Sequence, residues 1–205
     1  MILNRRVFLP VLLLFCLATL ANAQRGARTK LQSLDALTSE ATQVVRGHVI
    51  SAKVEPHPSF SNLMTVVVTF QVDKTLKGEA GRKLQFRQFV WDIRDFKDEA
   101  IYRRGEQMLL LLGPNSQYGL RSPVGLGQGR FRISKDAAGQ ETAVNESGNV
   151  GLFNSSTART SAMQAKLSTR SSQMVKENLG GPMRLDDLES VVQSFVKNPP
   201  ARSAQ

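Results

Sequence analysis

Met64-Thr65-Val66-Val67-Val68-Thr69-Phe70-Gln71-Val72-Asp73 is the stretch whose reading decides the fold. Met64, Val66, Val68, Phe70 and Val72 fall on one side of an extended chain, while Thr65, Thr69, Gln71 and Asp73 fall on the other. That period of two is what a long strand with one buried face requires. A helix would scatter the same side chains, because only positions three or four apart share a helical face. Upstream, Val44 to Val54 is β-branched and apolar with Gly47 inside it, which predicts a strand that bends or bulges at the glycine. Glu55-Pro56-His57-Pro58-Ser59 ends that strand. Downstream, Lys77-Gly78-Glu79 turns the chain, and Leu84 and Phe86 resume the alternation. The phase then slips to Phe89 and Trp91, as a bulge near Arg87-Gln88 would produce.

Further along, Met108 to Leu112 is an unbroken apolar run bounded by Gly105 and Gly113-Pro114. It is too short for a helix and suits a strand covered on both faces, at the centre of the core. Tyr118 to Arg121, Arg130 to Ile133 and Glu141 to Val144 read as three more short strands, separated by glycine turns. Short strands at this spacing with no helices between them predict a mainly β domain over 44–153, its sheet closed or rolled into a small barrel.

Helical spacing occurs at the two flanks. In 24–43, a short basic lead-in precedes Leu31, Leu34, Leu37 and Ala41, with Ser33 placed to cap a helix ending near Thr42. In 185–197, Leu185, Leu188, Val191, Val192, Phe195 and Val196 form one face of an amphipathic helix. Asp186, Asp187 and Glu189 sit at its positive end and Lys197 at its negative end. Between barrel and helix, 154–184 is rich in Ser, Thr, Ala, Gln and Met and ends in Gly180-Gly181-Pro182 before Met183-Arg184. This composition predicts a basic flexible linker, at most weakly helical, without the apolar content to order itself. A tail, 198–205, follows Asn198-Pro199-Pro200.

The first 23 residues read as a signal peptide: Asn4-Arg5-Arg6, an apolar run from Val7 to Leu20, then Ala21-Asn22-Ala23, with cleavage expected between Ala23 and Gln24. The run of 14 residues is shorter than the ~20 a spanning helix needs. Arg5-Arg6-Val7-Phe8-Leu9 also matches the core of a twin-arginine signal, so both export routes stay open. Phe15 before Cys16 is too large for a lipobox. Export to the periplasm or beyond is the expectation, with no transmembrane segment once the leader is gone. The remaining chain has no cysteine, hence no disulfide and no thiolate ligand. It carries 25 Lys and Arg against 17 Asp and Glu, a net +8 that favours acidic partners. Nucleic acid is a poor candidate, since the basic residues are not interleaved with aromatic stacking platforms.

Two histidines, a carboxylate-rich loop and a glycine-rich run are the candidates for catalytic, metal or phosphate chemistry. His48 lies in a strand and His57 sits between two prolines; neither has a nucleophile motif nearby, and two separated histidines do not make a zinc site. Asp92, Asp95, Asp98 and Glu99 could serve as a carboxylate pair or a calcium loop, but Arg94, Lys97, Arg103 and Arg104 interleave with them, which favours a self-neutralised surface loop. Gly125-Leu126-Gly127-Gln128-Gly129 resembles a phosphate loop only in glycine content, because a strand and no helix follows it. The loop from Asn145 to Phe153 is the most distinctive, polar at first and ending in Leu152-Phe153, as a segment pinned back onto the barrel would be.

Val44-Val45-Arg46-Gly47-His48-Val49, Val68-Thr69-Phe70-Gln71-Val72 leading to Leu76-Lys77-Gly78, Gly105 to Leu112, and Gln128-Gly129-Arg130-Phe131 together resemble a broad set of exported bacterial proteins of uncharacterised function. Their order of elements is similar to the netrin-like and tissue-inhibitor-of-metalloproteinases class, which implies an OB-like β-barrel over Val44 to Phe153. Inhibitors of that class depend on an N-terminal cysteine and on disulfides; without cysteine the inhibitory mechanism does not carry over, and a fold does not determine a function.

The expectation is an exported, non-enzymatic binding or accessory domain without cofactor, whose partner is an exported protein or an anionic envelope component. Asn145, Asn149, Arg159, Lys166, Arg170 and Lys176 are the candidate partner-binding residues. A carboxylate-based hydrolase using Asp92 to Glu99, and a purely structural envelope-associated role, are the alternatives.

Overall fold

The alternation around Val68 forms one arm of a long hairpin. In the computed structural model, which describes residues 30–90 and 101–199, β1 (Gln43–His57) pairs antiparallel with β2 (Phe60–Lys77). At its tip the Ser59 backbone N–H donates to His57 Nδ1 at 3.1 Å, which leaves Nε2 to donate to the Tyr118 carbonyl at 2.8 Å. The register shifts between Arg46 and Gly47, where the sequence places a bulge. A Cβ on Gly47 would fall onto the Gln71 carbonyl oxygen and lie 2.9 Å from the Phe70 ring. Only a glycine lets β2 cross this close.

β3 (Lys83–Phe89) runs along β2 in an unbroken register, from Lys83 opposite Gln71 to Phe89 opposite Thr65. The bulge expected at Arg87-Gln88 is therefore absent. Leu84, Phe86, Gln88 and Val90 keep one phase, and Gln88 holds an inward position because its Oε1 accepts the hydroxyl of buried Tyr102 at 2.7 Å. A polar residue on the apolar side made an uninterrupted strand read as a slip.

β4 (Gln107–Leu112) lies at the middle of a seven-stranded antiparallel sheet ordered β3-β2-β1-β4-β5-β6-β7, completed by β5 (Arg130–Lys135), β6 (Glu141–Asn145) and β7 (Met183–Arg184). Both faces of β4 are covered. Met108, Leu110 and Leu112 pack with Val45, Val49, Val66, Val68, Phe70 and Phe86 on one side. Leu109 and Leu111 pack under the helices on the other.

The molecule is mainly β, but the sheet is not closed: β3 and β7 stand at its two edges. Tyr118 to Arg121, expected as a strand, is turn except for a single bridge from Leu120 to Arg87, and Pro123 makes a second single bridge to Leu112. Pro114 and Pro123 supply no N–H, and the left-handed Gly119 (φ 71°) turns the chain between them, so no continuous ladder forms here.

Four helices complete the described residues: α1 (Leu34–Glu40), α2 (Ser156–Gln164), α3 (Thr169–Glu177) and α4 (Leu185–Lys197). α4 buries Leu185, Leu188, Val191, Val192 and Phe195 in the core beneath β4. Residues 154–184, read from composition as a flexible linker, instead hold α2, α3 and β7. Two features order this apolar-poor stretch. Small Ala158, Ala162 and Ser171 are buried against the neighbouring elements, and Met174 and Val175 fill the remaining space. Each helix also starts on a capping serine tied to a buried carboxylate. Ser155 Oγ accepts the Ala158 N–H at 2.9 Å and donates to Asp35 of α1 at 2.9 Å. Ser168 Oγ accepts the Ser171 N–H at 3.4 Å and donates to Asp187 of α4 at 2.5 Å. Such caps contribute about 1 kcal/mol each, and more when a charged acceptor is involved.

Candidate anionic-surface site

The α2–α3 pair turns its small and apolar side to the core and its basic side to solvent. Arg159 lies on α2, Lys166 in the connection, Arg170 in the first turn of α3 and Lys176 in its last turn, and all four are exposed. From Ser155 to Leu179 the only acidic residue is Glu177, and its carboxylate accepts a hydrogen bond from Gln173. Met163 on the same pair is 56% exposed and Leu179, just past α3, is 44% exposed. Val150, also exposed, lies against Gly180, the residue that follows Leu179. Exposed cations and exposed apolar side chains thus occur together along 159–179, with Arg159 and Met163, four residues apart on α2, on one face of that helix.

Asn145 and Asn149 do not belong to that surface. Both are buried, and their amides are used within the fold. Asn149 Nδ2 donates to the Ala143 carbonyl at 2.9 Å and the Gly181 carbonyl at 2.8 Å, while its Oδ1 accepts the Asn145 N–H at 3.0 Å. Asn145 Nδ2 donates to the Gln128 carbonyl at 3.0 Å, and its Oδ1 accepts the Asn149 N–H at 2.8 Å. The two form a buried clasp that pins the 145–153 loop to β6 and the Gly180-Gly181 turn. Ala23 and Gln24 at the expected cleavage point, and Asp92, Asp95, Asp98 and Glu99 of the expected carboxylate loop, lie outside the described residues.

Other polar groups meet that the sequence keeps far apart. Glu189 of α4, only 3% exposed, binds Arg46 of β1 at 3.2 Å and Lys74 of β2 at 2.5 Å. This carboxylate is neutralised from two sides and fastens α4 to the hairpin. Beside it on the hairpin, His48 Nδ1 lies 3.8 Å from Asp73, both half-exposed. Buried Arg130 pairs with Glu146 and places its guanidinium 5.0 Å above the Tyr102 ring. Burial pushes the Tyr102 hydroxyl above its ordinary pKa, and the attraction of Arg130 only partly opposes this. Arg46 interrupting an apolar strand and Glu189 interrupting an apolar stripe were the visible signals for the first cluster; nothing in the sequence pairs them.

Gly125 to Gly129 forms a 3-10 turn into β5, and Gly129 packs so closely that a Cβ there would lie 2.9 Å from the Val124 nitrogen. Close packing explains its glycines. No three histidine, cysteine or carboxylate side chains converge as a metal site among the described residues, and no described helix is long and apolar enough to span a membrane. In comparisons with family models, with curated proteins and with solved structures, nothing matches this chain, so the helical basic surface stands on its own geometry.

Proposed function

We propose that this chain is an exported, non-enzymatic accessory domain that holds an anionic component of the cell envelope on the outside of its α2–α3 pair. The observation that carries the reading is the set of four exposed cations, Arg159, Lys166, Arg170 and Lys176, on two packed helices and their connection, with a single acidic residue among them. Clustered charge of one sign raises the local concentration of opposite charge, and fixed helices present it without ordering a loose segment on binding. The leader-like first 23 residues support placement outside the cytoplasm. In the same reading the hairpin, β3 and β4 form an OB-like half-barrel, with residues 113–124 lying where a closing strand would pair; the bridges Leu112 to Pro123 and Arg87 to Leu120 support it.

Retention of the purified protein on an envelope fraction tests the proposal. It should fall steeply between 0.05 and about 0.5 M salt, where the screening length drops below ~5 Å. Retention unchanged by salt refutes the electrostatic reading, and retention abolished by protease treatment of the fraction points to an exported protein partner instead.

A further inference from the structure

We infer that the anionic component is a lipid bilayer surface, on which the α2–α3 pair lies with Met163 and Leu179 at the boundary between headgroups and acyl chains. The inference rests on the proposed function and adds the class of ligand. Six large hydrophobic side chains are markedly exposed among the described residues: Leu31, Phe60, Tyr118, Val150, Met163 and Leu179. Phe60 and Tyr118 stack edge-on with each other at the hairpin tip. Met163 lies on α2 and Leu179 just past α3, and Val150 lies against Gly180, the residue that follows Leu179. A soluble polyanion would need only the cations. Cations interspersed with exposed apolar side chains fit a surface that is anionic outside and apolar a few ångströms deeper.

The ends of α2 and α3 are fixed to the rest of the fold. The two starting serines are anchored to Asp35 and Asp187, and Asn178 closes α3 in the left-handed conformation (φ 51°), with its Nδ2 donating to Asn154 at 2.5 Å. Among the described residues Arg159, Lys166, Arg170 and Lys176 make no ion pair or hydrogen bond to the body, and all four are exposed.

The test uses the chain from Gln24 onward, which contains the whole described fold and no cysteine. Binding is measured to vesicles of phosphatidylcholine with and without phosphatidylglycerol, and to soluble polyglutamate. A Met163→Cys variant carrying an environment-sensitive dye reports contact with the acyl region. Expected are salt-sensitive binding to the phosphatidylglycerol vesicles alone and a blue shift of the dye. Each cation should contribute roughly fivefold in partitioning, so Arg159→Gln, Lys166→Gln, Arg170→Gln and Lys176→Gln together should lower it on the order of a hundredfold or more, with an unchanged circular dichroism spectrum. Binding to polyglutamate but not to vesicles overturns the bilayer inference and leaves the anionic reading standing. Vesicle binding without a dye shift also overturns it, and binding to neither removes both.

Discussion

Replacing Asn149 tests whether the 145–153 loop is a fold element or a recognition element. Its side chain is 2% exposed and satisfies three backbone groups: the Ala143 carbonyl, the Gly181 carbonyl and the Asn145 N–H. In Asn149→Ala the Ala143 carbonyl and Asn145 N–H lose their partner inside the fold, at about 1–2 kcal/mol each, while the Gly181 carbonyl lies nearer solvent and costs less. Asn149 also sits at φ 61°, a left-handed conformation that costs alanine roughly 1 kcal/mol more than glycine. The sum is about 3–5 kcal/mol, which in a domain of this size lowers the melting temperature by about 10 °C. Asn149→Gly loses the same hydrogen bonds but not the backbone term, and should recover roughly 1 kcal/mol, or about 3 °C. Thermal melts followed by circular dichroism separate the three proteins. If Asn149→Ala melts within about 2 °C of the parent, the clasp does not hold the loop as argued. Vesicle or envelope binding measured well below the melting temperature should be unaffected by either variant.

Gly47→Ala drives a methyl group into the Gln71 carbonyl and should cost about 3 kcal/mol or more in urea unfolding; a change below about 1 kcal/mol means the hairpin can open there freely. Leu110→Ala and Leu111→Ala should each cost about 2–5 kcal/mol although they point to opposite faces, and an inexpensive substitution at either would show that face to be uncovered. Glu189→Ala leaves Arg46 and Lys74 without their carboxylate; both cations are partly exposed and can rehydrate, so the cost should be about 2 kcal/mol, below the usual range for a broken buried pair. Tyr102 titrates above its ordinary value of 10.0 in the fold, so above that pH the folded chain holds a proton the unfolded chain releases, and stability falls as pH rises. Urea midpoints at pH 9 and pH 11 should therefore drop further for the parent than for Tyr102→Phe, and equal drops would remove the argument.

Those outcomes bear on elements that the sequence reveals to very different degrees. β2 and β4 are legible because burial is set by strand geometry: one exposed face gives alternation, and two covered faces give the continuous run from Met108 to Leu112. β3 misleads at Gln88, where a long-range requirement, the hydroxyl of Tyr102, overrides the local pattern. Closure is not legible, since strand count and spacing carry no information on whether the two edges, β3 and β7, pair. At the candidate site the cations themselves are visible in the text, but the surface is not. Asn145 and Asn149 look like exposed turn residues because nothing local discloses that Gln128 and Gly181 come to meet them.

The helical pair is not legible in the sequence, for a reason that bears on the proposed role. A stretch poor in large apolar residues resembles a disordered one, because composition measures how much surface a segment can bury by itself. α2 and α3 do not bury a surface alone. They lend Ala158, Ala162, Ser171, Met174 and Val175 to a core already built by α4 and β4, and their ends are fixed by carboxylates from α1 and α4. So few positions are committed inward that most of the remaining ones face solvent, and it is there that Arg159, Met163, Lys166, Arg170 and Lys176 accumulate. A flexible basic linker would pay an ordering cost on meeting a charged surface, whereas an already ordered pair would not. Loosening the pair while keeping its charge separates these cases: Ser155→Ala with Ser168→Ala should weaken vesicle binding although no cation is removed. Undiminished binding by that double variant, with helicity lost, would show that charge alone suffices and that the fold of this segment serves another end.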